Sequence, residues 1–140
     1  MKRLIILIIL FSNFAHADQK DGRLIELFDK LYLSTNNMEA SKLLFSIWDI
    51  WSIADNQETQ ILFDEANQFM DVGELDNAIE LFSKVIEKSP EFAEGWNKRA
   101  TVYFLKGELN KSISDIEKTL YLEPRHFGAL DGLAEIYLIK

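Results

Sequence analysis

His126 is the one imidazole in residues 18–140; the other histidine is His16, and cysteine is absent from the chain. A Ser-His-Asp or Cys-His nucleophile, or a zinc site built on His and Cys, would therefore rest wholly on His126. It follows Pro124-Arg125 at an expected helix start, which reads as an exposed first-turn position. Gly73 and Gly107 stand singly, not in a phosphate-cradling cluster. The carboxylates are scattered and often lie near lysines, as in Glu80–Lys84 and Glu87–Lys88, the pattern of solvated helix faces rather than of an acid–base pair. The sequence thus predicts no catalytic residues, no metal site and no cofactor, and the chain is read as a non-enzyme. What its residues do best is position surfaces.

The elements that would carry such a surface repeat. Laying residues 59–92 over 93–126 pairs Ala66 with Ala100, Gly73 with Gly107, Glu74 with Glu108, Leu75 with Leu109, Ile79 with Ile113, Lys84 with Lys118 and Pro90 with Pro124. A fixed period of this length marks stacked helical hairpins. In the first helix of each unit a large residue, a small one and an aromatic share one stripe: Leu62, Ala66 and Phe69, then Trp96, Ala100 and Tyr103. The glycine that follows suits a left-handed C-cap, where a missing Cβ removes the strain. Asp76 and Asn110 are the expected N-caps of the second helices. Those helices bury Ala78, Phe82 and Val85, then Ser112, Ile116 and Thr119. Each proline comes where the chain must stop and restart.

These positions resemble those of the tetratricopeptide repeat (TPR). The strings Glu94-Gly95-Trp96-Asn97-Lys98-Arg99-Ala100-Thr101 and Leu122-Glu123-Pro124-Arg125-His126-Phe127-Gly128-Ala129-Leu130 are similar to those of secreted TPR proteins of Gram-negative bacteria. The resemblance implies an all-α, TPR-like superhelix with units at 59–92 and 93–126, and a third opened by its first helix at 127–140. It implies protein binding in a concave groove lined by the first helices. Carried onto this chain, the groove residues are Gln60, Phe63, Asp64, Asn67, Met70 and Asp71, then Glu94, Asn97, Lys98, Thr101, Phe104 and Leu105, with Gly128, Asp131, Gly132, Glu135, Leu138 and Ile139 in the third unit. A carboxylate clamp of the kind one TPR subclass uses is not expected. Only Asn67 matches it; Phe63 stands for its first lysine, Lys98 for its second asparagine, and Gly128 and Gly132 for its last two basic groups. Apolar anchors mixed with acids suit a basic or amphipathic peptide instead. The sequence leaves open whether an N-terminal hairpin folds over those anchors.

Met1-Lys2-Arg3, the eight apolar residues from Leu4 to Phe11 and Ala15-His16-Ala17 form the three regions of a secretory signal peptide (1–17), with cleavage expected after Ala17. The apolar stretch is short of the ~20 residues a spanning helix needs. The expected location is periplasmic. Removing the segment takes away Lys2 and Arg3 and leaves thirteen basic residues against 23 acidic ones, a net charge of −10. Nucleic acid and anionic lipid need a basic footprint and are not expected partners. A basic partner would gain in association rate.

Residues 18–58 read as a helical hairpin, either a degenerate repeat or a cap. Leu24, Phe28 and Leu31 share one stripe with Leu27 beside them, Asn36-Asn37 breaks the pattern, and Leu44, Ile47, Trp48 and Trp51 share the next. Trp48 and Trp51 are expected in a core. At the other end Leu130, Leu133, Ala134 and Tyr137 are expected to pack inward. Ile136, Leu138 and Ile139 are expected to form an apolar interface where no second helix covers the third unit. Self-pairing into a homodimer or a helix supplied by a partner would seal it. A small structural subunit of an envelope complex is therefore the alternative to a groove-binding adaptor.

Overall fold

In the computed structural model, which describes residues 18–139, seven helices run in succession and no strand is present among the described residues. They are α1 (Arg23–Leu33), α2 (Asn37–Trp51), α3 (Gln57–Asp71), α4 (Leu75–Lys88), α5 (Ala93–Leu105), α6 (Leu109–Leu122) and α7 (Phe127–Ile139). The fold is an all-α stack of helical hairpins. Helices α3, α5 and α7 neighbour one another in one layer, and α4 and α6 pack behind them. None of the described helices is long and apolar enough to cross a membrane. The signal-peptide reading, 1–17, lies outside the described residues.

Gly73 and Gly107 end α3 and α5 at φ 78° and 76°. At the first, the Glu74 amide donates to the Phe69 carbonyl at 2.9 Å and the Gly73 amide to Met70 at 3.1 Å; Glu108 and Gly107 repeat both bonds with Tyr103 and Phe104 at 2.8 Å each. This paired closure consumes the last carbonyls of the helix and reverses the chain within two residues. The next helix consequently starts at once, at Leu75 and Leu109, preceded by Glu74 and Glu108 without a side-chain cap. Asp76 and Asn110 therefore sit inside the first turn and are not the N-caps the sequence suggested. Asp76 pairs instead with Lys106. Asparagine does cap where the chain has room: Asn36 Oδ1 accepts from Met38 and Glu39 at α2, and Asn56 Oδ1 from Thr59 at α3.

Phe63, Ala66, Ala78, Phe82, Val85, Phe92 and Val102 form the first core, Phe63 meeting Phe82 and Phe92 edge-on at 5.8 and 5.1 Å. Burying one such ring contributes roughly 2–3 kcal/mol. Ala100, Ile116, Ala129 and Ile136 make the next core along the stack, with Leu133 against it. The α7 register therefore differs from the expected one. Ala129, Leu133 and Ile136 face α5 and α6, whereas Leu130 (47 %) and Tyr137 (65 %) are exposed and Ala134 is exposed beside them. Helix α7 packs along its length on α5 and α6 and meets α2 only at its first turn among the described residues, so the stripe that meets α5 and α6 is the one buried.

Leu24, Ile47, Ile50 and Trp51 close the α1–α2 hairpin. It docks on the turn edge of the stack. Gln19 Nε2 donates to the Glu91 carbonyl, Lys20 pairs with Glu91, and the Arg125 guanidinium lies over the Phe28 ring at 4.3 Å.

Candidate functional site

Trp48 and Trp51 project from α2 onto the start of α7. Trp51 stacks on His126 at 4.3 Å between centroids and 12° between planes, and Trp48 meets Phe127 at 5.2 Å. His126 is fully buried, a correction to its expected exposure. Its Nδ1 accepts the Ala129 amide at 3.2 Å, capping α7. With that nitrogen an acceptor, Nε2 carries the proton and donates to Glu94 Oε2 at 2.8 Å. Asn97 Nδ2 donates to the same oxygen at 3.1 Å, and Lys98 Nζ faces Oε1 at 3.8 Å. Glu94 and Asn97, expected to meet a ligand, are thus 1 % and 5 % exposed and tie α5 to the start of α7. Lys98 is shared between Glu94 and the Trp48 ring, 5.7 Å from its centroid.

The hairpin covers one end of the groove face and leaves the rest open. Gly128 is where Trp48 sits: a Cβ there would lie 2.6 Å from Trp48 Cη2. Beyond it a cleft of about 180 Å³ opens between α5 and α7. Its floor is Ala100, Phe104, Ser112 and Ile116; Asn97 and Thr101 form one wall, and Gly128, Asp131, Gly132 and Glu135 the other. Ser112 Oγ donates to the Ala100 carbonyl at 2.8 Å, so the floor is polar-satisfied.

The remaining sequence-predicted residues divide. Thr101 and Phe104 line the cleft, and Leu105 is exposed just beyond them. Asn67 and Met70 lie on α3 outside it, Asn67 Nδ2 donating to the Phe63 carbonyl at 2.9 Å and Met70 resting on the first core. Phe63 is not a groove residue. It is 2 % exposed, because the face expected to meet a ligand is the one that Phe92 and Phe82 cover. At the C-terminal side Ile136 is fully buried and belongs to a core, whereas Leu138 (85 %) and Ile139 (62 %) are exposed. Among the described residues no group of three His, Asp or Glu side chains is placed to hold a metal ion.

No protein-family model matches the chain. Over 114 residues, 81 % of its length, it is 36 % identical to a TPR repeat-containing protein of Rhizobium etli. This chain is built of tetratricopeptide repeats. Over 129 residues, 92 % of its length, it is 25 % identical to a BBSome complex member BBS4 homolog of Drosophila melanogaster. The chain spans 56 % of the first relative and 26 % of the second. Helices α3–α4 and α5–α6 pack as two successive hairpins, and α7 packs on α5 and α6 after them. The similarity is that of a protein-interaction repeat chain.

Proposed function

We propose that this TPR chain is an exported, non-catalytic adaptor that holds a peptide or protein partner against the α5–α7 face. The observation that carries the reading is the cleft itself: an apolar floor with polar walls, left open beside a hairpin that seals the neighbouring end. A few polar groups around an apolar concavity is what orients a bound chain. The test is a photo-crosslinking side chain placed at Thr101, on the cleft wall, and in parallel at exposed Glu87 on α4. A discrete adduct from Thr101 alone, in cells of the native organism, is expected. Equal labelling from both positions would sink the groove assignment.

Export through the N-terminal segment belongs to the same reading, with the periplasm as destination. Its support is the basic, apolar and small-residue order of residues 1–17. Cell fractionation with N-terminal sequencing should give a chain beginning at Asp18 in the envelope; an intact Met1 in the cytoplasm overturns it.

The outer face of α7 favours a second reading, that of a structural subunit. Leu130 and Tyr137 are exposed at positions whose counterparts Leu62 and Phe69 pack on the first core. Under that reading Leu138→Glu abolishes assembly seen by light scattering and leaves Thr101 crosslinking unchanged.

A further inference from the structure

The cleft carries a more specific assignment, which rests on the adaptor reading above. We infer that it receives an arginine side chain from a basic segment of the partner. Three features converge on this.

The first is shape. Gly132 leaves the cleft open toward Ile116, whose Cδ1 would lie 3.5 Å from a Cβ at that position. About 180 Å³ accommodates one long side chain and not a packed aromatic pair. The second is charge. Asp131 and Glu135 lie one turn apart on α7, both exposed at the cleft wall, and neither takes part in an ion pair or a side-chain hydrogen bond among the described residues. The nearby cation of α5, Lys98, is already engaged by Glu94 and Trp48. The chain as a whole carries −8. The third is the floor. Ala100 and Ile116 suit a methylene stem, and Phe104 supplies an aromatic ring to the lining against which a planar cation can pack.

An aliphatic side chain would use the floor and leave both carboxylates unanswered. A lysine would answer them as a point charge, without the stacking plane or the fork that spans two acceptors. Arginine uses all three features together. The carboxylates remain partly solvated, so the pairing strengthens an anchored side chain and does not replace the anchor.

The test is selection of random peptides of about a dozen residues, displayed on phage, against the immobilised full chain. Selected peptides are expected to share one arginine. Replacing it by alanine, or binding to the Asp131→Asn/Glu135→Gln variant, should weaken affinity by about tenfold or more, and arginine-to-lysine by less. Both variant positions are exposed and unpaired, so the fold is expected to stand; circular dichroism checks this. Gly132→Leu should fill the cleft and abolish binding. Peptides with no shared basic position, or with undiminished affinity for the double variant, overturn the arginine assignment and leave the adaptor reading intact. A selection that enriches nothing, or peptides that bind Gly132→Leu as well as the native chain, overturn both.

Discussion

His126 shows how a residue with catalytic potential is put to structural use. Both ring nitrogens are committed, one to the Ala129 amide and one to Glu94, and one ring face is taken by Trp51. The repeat offset of 34 residues pairs it with Phe92, itself 2 % exposed, so its burial was legible in the register. The reading from the adjacent Pro124-Arg125 missed that signal. The same offset pairs Phe63 with Asn97, both buried, Phe63 in a core and Asn97 at the edge of the cleft. His126→Phe is the informative substitution because it restores the Phe92 type. It keeps the ring packing and leaves Glu94 with one fewer donor in a buried site. Urea unfolding should register a loss of about 1–3 kcal/mol; unchanged stability would mean that packing alone fixes the position.

Helices were legible wherever backbone geometry forces the residue type. The glycine closures, the alanines at close helix approach and the prolines after each second helix appeared at their sequence spacing. Caps and the α7 register were not, because they depend on how many residues a turn leaves and on which neighbours exist. Between elements, Arg99 joins three helices: its guanidinium donates to both Asp115 oxygens of α6 at 2.7 and 2.9 Å and to Ser83 Oγ of α4 at 3.0 Å. Trp96 and Tyr103 flank it at 5.2 and 5.7 Å. The Asp115 side chain is 6 % exposed, so Asp115→Ala strands a half-buried cation and should cost about 3 kcal/mol by chemical denaturation. A loss under about 1 kcal/mol would place this pair with ordinary surface bridges. The hairpin has an acid-sensitive start. The Arg23 guanidinium, then its backbone amide, hold the Asp21 carboxyl below the usual carboxylate range, with burial opposing them. A depressed carboxyl contributes stability above its unfolded value and loses it as pH falls through the folded one. The Arg23 and Leu24 amide resonances should therefore move together below pH ~4, and in Asp21→Asn that movement should vanish.

At the scale of the molecule, two cores stack along the repeats and a third, in the hairpin, meets them through few side chains. Trp48, Trp51 and Phe28 on the hairpin face His126, Phe127 and Arg125 on the α6–α7 turn, and Gln19 and Lys20 tie the leading segment to Glu91. Stability in a repeat stack is close to a sum of unit and nearest-neighbour contributions, so a unit attached at one edge can open without unfolding the others. The repeats themselves carry the Phe63–Phe82–Phe92 cluster and the Arg99 junction, both built from residues of α3 to α6 and the α4–α5 turn. Trp48→Ala/Trp51→Ala should therefore release the hairpin as a body. Hydrogen exchange should speed up across α1 and α2 and at the first turn of α7, whose cap His126 loses its stacking partner. Protection across α3 to α6 should persist. The change should also lengthen the open groove toward the first turns of α5 and α7, since Gly128 and Lys98 would be uncovered. A single cooperative loss of protection over every helix would instead mean that the hairpin is integral to the stack, and that the cleft's closed end is a fixed wall.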